Sequence, residues 1–198
     1  MKKLATLFSQ SRQEFKLVRT VTVCAMMGAL GMVLGAFTIY IGPGSRVGFS
    51  GIPNMVVAYL FGPVVGCVFN GTMDIFKYLI KPAGPYFPGM TLVTMLAGLI
   101  YGSFFYKRPM RLWRVLAAGF VVAVVCNVWL NTYCLSIMLG KGFWGMLPAR
   151  IVQNAITWPL HSLAFYYTAK VLELAGVFKV LGLKPLLQNT AENEGKNR

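Results

Sequence analysis

The stretch VGFSGIPNMVVAYLFGPVVGCVFNGTM, residues 47–73, runs for 27 positions without a charge and carries Gly62-Pro63 near its centre. A bilayer core about 30 Å thick takes roughly 20 helical residues to cross. One span would fit the run, yet Pro ends a helix and Gly closes one. Without a reversal there, the 87 residues between Arg19 and Lys107 hold two spans and long apolar loops with nowhere to go. With a reversal at Gly62-Pro63 they hold four spans joined by short loops.

Four more uncharged stretches, 20–45, 82–106, 115–140 and 151–169, flank this one. The sequence therefore predicts an all-α integral membrane bundle of six helices, near 20–41, 48–62, 63–80, 88–106, 112–139 and 147–172. The second is too short to cross bare lipid, and its place is expected beside protein or a cavity.

Composition agrees. Of 198 residues, 57% are apolar and 12% are charged, against usual shares of about 45–50% and 25%. Mean hydropathy is +0.63. These values exclude a soluble globular domain, a disordered chain and a disulfide-stapled scaffold. The net charge of +14 raises nucleic acid as a partner, but the placement of the charge argues against it. Basic residues gather in three clusters: Lys2, Lys3, Arg12, Lys16 and Arg19; Lys107, Arg108, Arg111 and Arg114; and Lys170, Lys179, Lys184, Lys196 and Arg198. Lys and Arg near span ends are retained on the cytoplasmic side. An even number of spans between clusters puts all three, and both termini, inside.

The expected division is a basic cytoplasmic segment over 1–19, a transmembrane domain over 20–173 and a cytoplasmic tail over 174–198 whose end is disordered. Leu4, Leu7, Phe8, Phe15 and Val18 give the first segment the spacing of a helix lying on membrane lipid. A signal peptide does not fit, because the apolar run that follows is too long and no small-residue cleavage site appears.

Catalytic chemistry is sparse. Cys24, Cys67, Cys126 and Cys134 stand in apolar spans without CxxC or His pairing and read as small core residues. His161, the one histidine, is mid-span and reads as packed, hydrogen-bonded or catalytic. The sequence holds no P-loop, no paired carboxylates and no Ser/His/Asp set. Asp74 and Lys77, three apart, are expected to form an ion pair. Neither an enzyme nor a cofactor is predicted.

Five basic residues fall on the outward side: Arg46, Lys77, Lys81, Lys141 and Arg150, in or beside the connections 42–48, 81–88 and 140–147. Two readings stand open, an anionic ligand and snorkelling to headgroups. Asn127 and Asn131 share a helix face, as do Arg150, Gln153 and Asn154. Amides in a membrane are costly unless paired. They either join helix to helix or meet a polar-edged aromatic ligand. Tyr86, Phe87, Phe143, Trp144 and Trp158 belong to the same end, as stacking partners or as interfacial belt. Small residues at Ala25/Ala29 and Gly31/Gly35 permit close helix contact, within the chain or with another.

Several segments resemble the folate-type substrate-binding (S) component of energy-coupling factor (ECF) transporters. They are Tyr59-Leu-Phe-Gly-Pro-Val-Val-Gly66, Gly84-Pro-Tyr-Phe-Pro-Gly-Met-Thr91, Leu96-Ala-Gly-Leu-Ile-Tyr-Gly102, Asn127-Val-Trp-Leu-Asn-Thr132 and Leu147-Pro-Ala-Arg-Ile-Val-Gln-Asn154. The likeness covers about residues 17–172. It implies a six-helix protein of a prokaryotic cell membrane that captures folate or a related vitamin from outside. It also implies three partners, a transmembrane coupling subunit and two ATPases, with the S component tipping in the membrane to deliver its load. Ala25 and Ala29 match the family's contact for the coupling subunit.

On that resemblance, a pterin ring would lie between helices five and six among Asn127, Asn131, Arg150 and Asn154, with Tyr86, Phe87 or Trp158 stacking. The glutamate tail would meet Arg46, Lys81 or Lys141. The alternatives are an S component for a queuosine precursor, pantothenate or nicotinate, and a non-transporting membrane assembly protein.

Overall fold

The structure, a computed structural model, describes residues 11, 17–36, 39–42, 45–80, 86–106, 111–140 and 142–174. Helix α1 spans Val18–Ala36 and leads into a hairpin of β1 (Ile39–Gly42) and β2 (Ser45–Val47). Next come α2 (Gly51–Phe61), α3 (Pro63–Ile80) and α4 (Pro88–Phe105). The fifth rod is continuous but not uniform: α5 (Leu112–Val122), a π-helical stretch Ala123–Asn131, and α6 (Thr132–Leu139). Helix α7 (Phe143–Leu174) closes the bundle. Six helical rods are present over residues 18–174 among the described residues, as expected. By length and composition, Val18–Gly35, Pro88–Phe105 and Leu112–Met138 are long and apolar enough to cross a membrane.

The reversal at Gly62-Pro63 is present. Gly62 has φ +92°, a left-handed conformation that only glycine takes without strain. Its N–H closes α2 on the Ala58 carbonyl, and Pro63 opens α3 at a position where the missing N–H costs nothing. Helix α2 has 11 residues, about 16 Å of rise, roughly half the hydrocarbon thickness. It meets protein rather than lipid, since Met55 to Phe61 are buried without a break.

Differences from the sequence reading fall at the same end of the bundle. The first helix stops at Ala36 instead of 41, and Ile39, Tyr40 and Ile41 become strand. β-Branched and aromatic residues before a Gly-Pro-Gly sequence suit an antiparallel pair. Ile39 faces Val47 and Tyr40 faces Arg46, with an irregularity before Gly42 pairs with Ser45. Helix α7 begins at Phe143, so Pro148 lies inside it, as does Pro159. Proline removes one intrahelical bond, which neighbouring helices can compensate in a membrane protein.

Two apolar clusters hold the rods. The larger joins α2, α3, α4, α5 and α7 through Tyr59, Phe61, Val65, Phe105, Val115 and Phe165. The Phe105 and Phe165 rings stack with centroids 5.1 Å apart, and Tyr59 meets Phe165 edge-on at 6.4 Å. The smaller joins α4 to the fifth rod through Val93, Val122, Cys126 and Cys134. Lipid is as apolar as these side chains, so close packing rather than escape from water makes such contacts favourable. Accordingly α3 and α4 approach until Gly98 abuts the backbone of Gly66.

The N-terminal segment, residues 1–19, lies outside the described residues except for Ser11 and Leu17–Arg19, and the tail beyond Leu174 lies outside them as well.

Candidate functional site

A polar cavity of about 40 Å³ lies inside the bundle where the fifth rod faces α7. Gly119, Ala123 and Asn127 line it from the fifth rod, and Asn154, Thr157, Trp158, His161 and Ser162 line it from α7. Met55 of α2 and Tyr101 of α4 complete the wall. The α7 contributors recur at three- and four-residue steps, so one helical face supplies all five. No formally charged side chain is among the lining residues.

Local chemistry fixes this wall. Trp158 donates its indole N–H to the Leu116 carbonyl at 3.0 Å, and its ring meets Phe120 edge-on at 5.3 Å. Gly119 makes that contact possible: a Cβ there would stand 2.7 Å from Ser162 Oγ and 2.9 Å from Trp158 Cδ1. Asn154 donates its side-chain N–H to the Arg150 carbonyl at 2.9 Å. On the facing rod the π-helical stretch shifts the phase of the side chains, because its bonds run from i to i+5. Thr132 Oγ1 accordingly donates to the Asn127 carbonyl, five residues back, at 3.3 Å.

Of the residues the sequence singled out as ligand contacts, the cavity gathers Asn127, Asn154 and Trp158. Asn131 ends the π stretch and Arg150 is half-buried on α7, and neither lines the cavity. Phe87 caps the start of α4 and packs on the smaller apolar cluster. Tyr86 joins a separate polar chain in which its hydroxyl lies 3.0 Å from Thr91 Oγ1, which donates to Asp74 Oδ2 at 2.8 Å. The Tyr86 ring also rests 5.1 Å from that of Tyr78. Asp74 thus has a partner on α4, and Lys77 donates to Ser50 Oγ at 3.3 Å. Arg46 is placed on β2, opposite Tyr40. Lys81 and Lys141 lie outside the described residues.

Ala25 and Ala29 are both exposed on α1, on a face shared with Met26, Leu30 and Val33. The inward small residues of that helix are Gly28, beside Met73, and Gly31, beside Pro53.

His161 and Thr157 are cavity residues that the sequence reading did not place in the site. A lone histidine among apolar neighbours reads as core. The signal was the recurrence of polar side chains at 154, 157, 161 and 162, all on one face of a helix.

The model of the family "ECF transporter, substrate-specific component" matches residues 19–168. The chain is 34% identical to the folate transporter FolT of Clostridium novyi (strain NT) over 158 residues, which is 80% of this chain and 92% of that protein. To FolT of Leuconostoc mesenteroides it is 27% identical over 148 residues, 72% of this chain and 80% of that one. Among solved structures it resembles FolT bound with folic acid, at a TM-score of 0.70 and 30% identity, over 77% of this chain and 93% of the other.

Proposed function

This chain belongs to the substrate-specific components of ECF transporters, and on that premise we propose that it binds folate and serves as the capture subunit for folate uptake. The observation that carries this reading is the uncharged polar cavity between Asn127 of the fifth rod and Asn154 and Trp158 of α7. Amides on two facing helices, with an indole fixed between them, suit a flat heteroaromatic ring that has donors and acceptors on its edge. The relatives named FolT supply the class of that ring.

The cavity is smaller than the roughly 300–1,000 Å³ of a pocket for a drug-sized ligand. It therefore corresponds to the deep end of the site, where the ring goes. In this proposal Asn127, Asn154 and Trp158 hold the ring, and Asn131 and Arg150 lie along its path. Tyr86 and Phe87 flank the mouth, and Arg46 and Lys141 meet the anionic tail. The hairpin end faces the outside and both termini face the cytoplasm, in keeping with Arg19, Arg111, Arg114 and Lys170 at the opposite ends of their helices. Ala25 and Ala29 form the contact with a transmembrane coupling subunit. Two partner ATPases supply the hydrolysis, and tipping of the whole bundle carries the ligand inward.

The test is direct titration of the purified protein with folic acid, followed by tryptophan fluorescence. Saturable quenching is expected. Binding of pantothenate, nicotinate or a queuosine precursor in its place would overturn the folate assignment.

A further inference from the structure

One ring nitrogen of His161 is engaged and the other is not. A backbone hydrogen bond ties the ring to Gly48. Its centroid is 6.3 Å from that of Phe49, and a Cβ on Gly51 would stand 3.8 Å from Nδ1. The turn that leads into α2 therefore holds the histidine by its Nδ1 edge. Nε2 is buried and has no hydrogen-bond partner among the described residues. A backbone carbonyl accepts only from an N–H, so the proton of the neutral ring sits on Nδ1 and Nε2 offers a bare lone pair.

Thr157 Oγ1 is in the same condition. It stands one turn away on the same face of α7, buried and without a hydrogen-bond partner among the described residues. Both residues line the cavity. Asn154, on that face too, gives one of its two amide N–H groups to the Arg150 carbonyl and keeps the other donor and its acceptor. Asn54, three residues beyond Gly51 on α2, has a buried Oδ1 in the same state. Buried polar atoms without partners are few in folded proteins, and two of those among the described residues, His161 Nε2 and Thr157 Oγ1, belong to the wall of one cavity. Acceptors call for a ligand edge that donates.

We propose that His161 Nε2 and Thr157 Oγ1 read the donor edge of a 2-amino-4-oxo heterocycle, accepting from the two N–H bonds of its exocyclic amine. This rests on the folate reading and deepens it: the 2-amino edge of the ring is the part seated against α7, and His161 determines specificity for it. A ring that presents an acceptor or a C–H there leaves these lone pairs without donors and is rejected, as sites built to bond a polar group reject analogues that lack it.

The experiment is equilibrium titration of the purified full chain with folic acid and with its 2-desamino analogue, for the wild type, His161→Phe, His161→Gln and Thr157→Val. Thermal unfolding checks that each variant is folded. The wild type should favour folic acid by at least about tenfold. His161→Phe should weaken folic acid by about 5- to 150-fold, the range expected when one buried hydrogen bond is lost. The analogue should change by less than about threefold, so that discrimination collapses. His161→Gln, which returns an acceptor, should restore part of it. Should His161→Phe fail to fold, Thr157→Val, close in volume, reads out the same ratio.

A folded His161→Phe that keeps the wild-type ratio would overturn the proposal and leave the folate reading standing, as when a bound water satisfies both atoms. A wild type that binds no folic acid would overturn both.

Discussion

Ser11 Oγ accepts the backbone N–H of Val64 at 3.1 Å, across 53 positions of sequence. It also accepts from Val65 at 3.3 Å and donates to the Phe61 carbonyl at 2.8 Å. These are the donors that a capping side chain ordinarily satisfies at the start of a helix. Gly62, at the cap position of α3, has no side chain to offer, because the turn needs its positive φ. A remote serine supplies the missing hydroxyl, and Ser11 is thereby tied to the reversal between α2 and α3.

Ser11→Ala should therefore lower stability by about 1–2 kcal/mol, the usual cost of a lost helix cap. The expected readout is a lower thermal midpoint in detergent with folic acid affinity unchanged, since Ser11 lies at the end of the bundle away from the cavity. An unchanged midpoint would show that this capping contributes nothing.

Asn127→Leu should weaken folic acid by about 5- to 150-fold, from the loss of one buried partner worth roughly 1–3 kcal/mol. Asn131→Leu should cost less, because Asn131 does not line the cavity. Equal losses at the two positions, measured by titration, would put the ring higher in the bundle than the cavity.

Gly119→Leu should damage both stability and binding. Its side chain would displace Ser162 and Trp158, which stand within 3 Å of where its Cβ must go. Overpacking of this kind costs about 1–3 kcal/mol. Trp158→Phe removes the indole bond to Leu116 and part of the ring packed on Phe120, and should cost about 1–3 kcal/mol without overpacking. Thermal unfolding measures both.

Ala25→Leu or Ala29→Leu should leave ligand affinity intact and abolish uptake in cells that carry the coupling subunit and ATPases. Both alanines are exposed on α1, so a larger side chain points away from the packed face of the described residues. Loss of binding in the isolated protein would refute the docking role.

The helices were legible because charge is scarce and its gaps have spanning length. The Gly62-Pro63 break then fixed their number, and α3 and the 112–139 rod have the expected bounds. The hairpin was not legible, since Ile39-Tyr40-Ile41 is as apolar as a helix end and a short apolar run does not distinguish strand from helix. Nor was the π stretch: AVVCNVWLN would compose an ordinary α-helix equally well. That hidden phase shift separates Asn131 from Asn127, although α-helical spacing puts them on one face. Asn154 and Trp158 stood out as an amide and an indole in an apolar span. Thr157 was not singled out, and His161, read as packed, hydrogen-bonded or catalytic, joined the site only when the fold brought Gly48 and the cavity to opposite edges of its ring.

Helices α2 and α3 leave their shared turn together, but one has 11 residues and the other 18. At about 1.5 Å per residue, α2 stops roughly 10 Å short of its neighbour. Its first turn, and the histidine beside it, therefore lie below the level that α3 reaches. An elongated guest would straddle two dielectric regimes in a single seat, its foot in a dry socket and its head in brine. Salt should then loosen the hold on the head and leave the grip on the foot almost untouched.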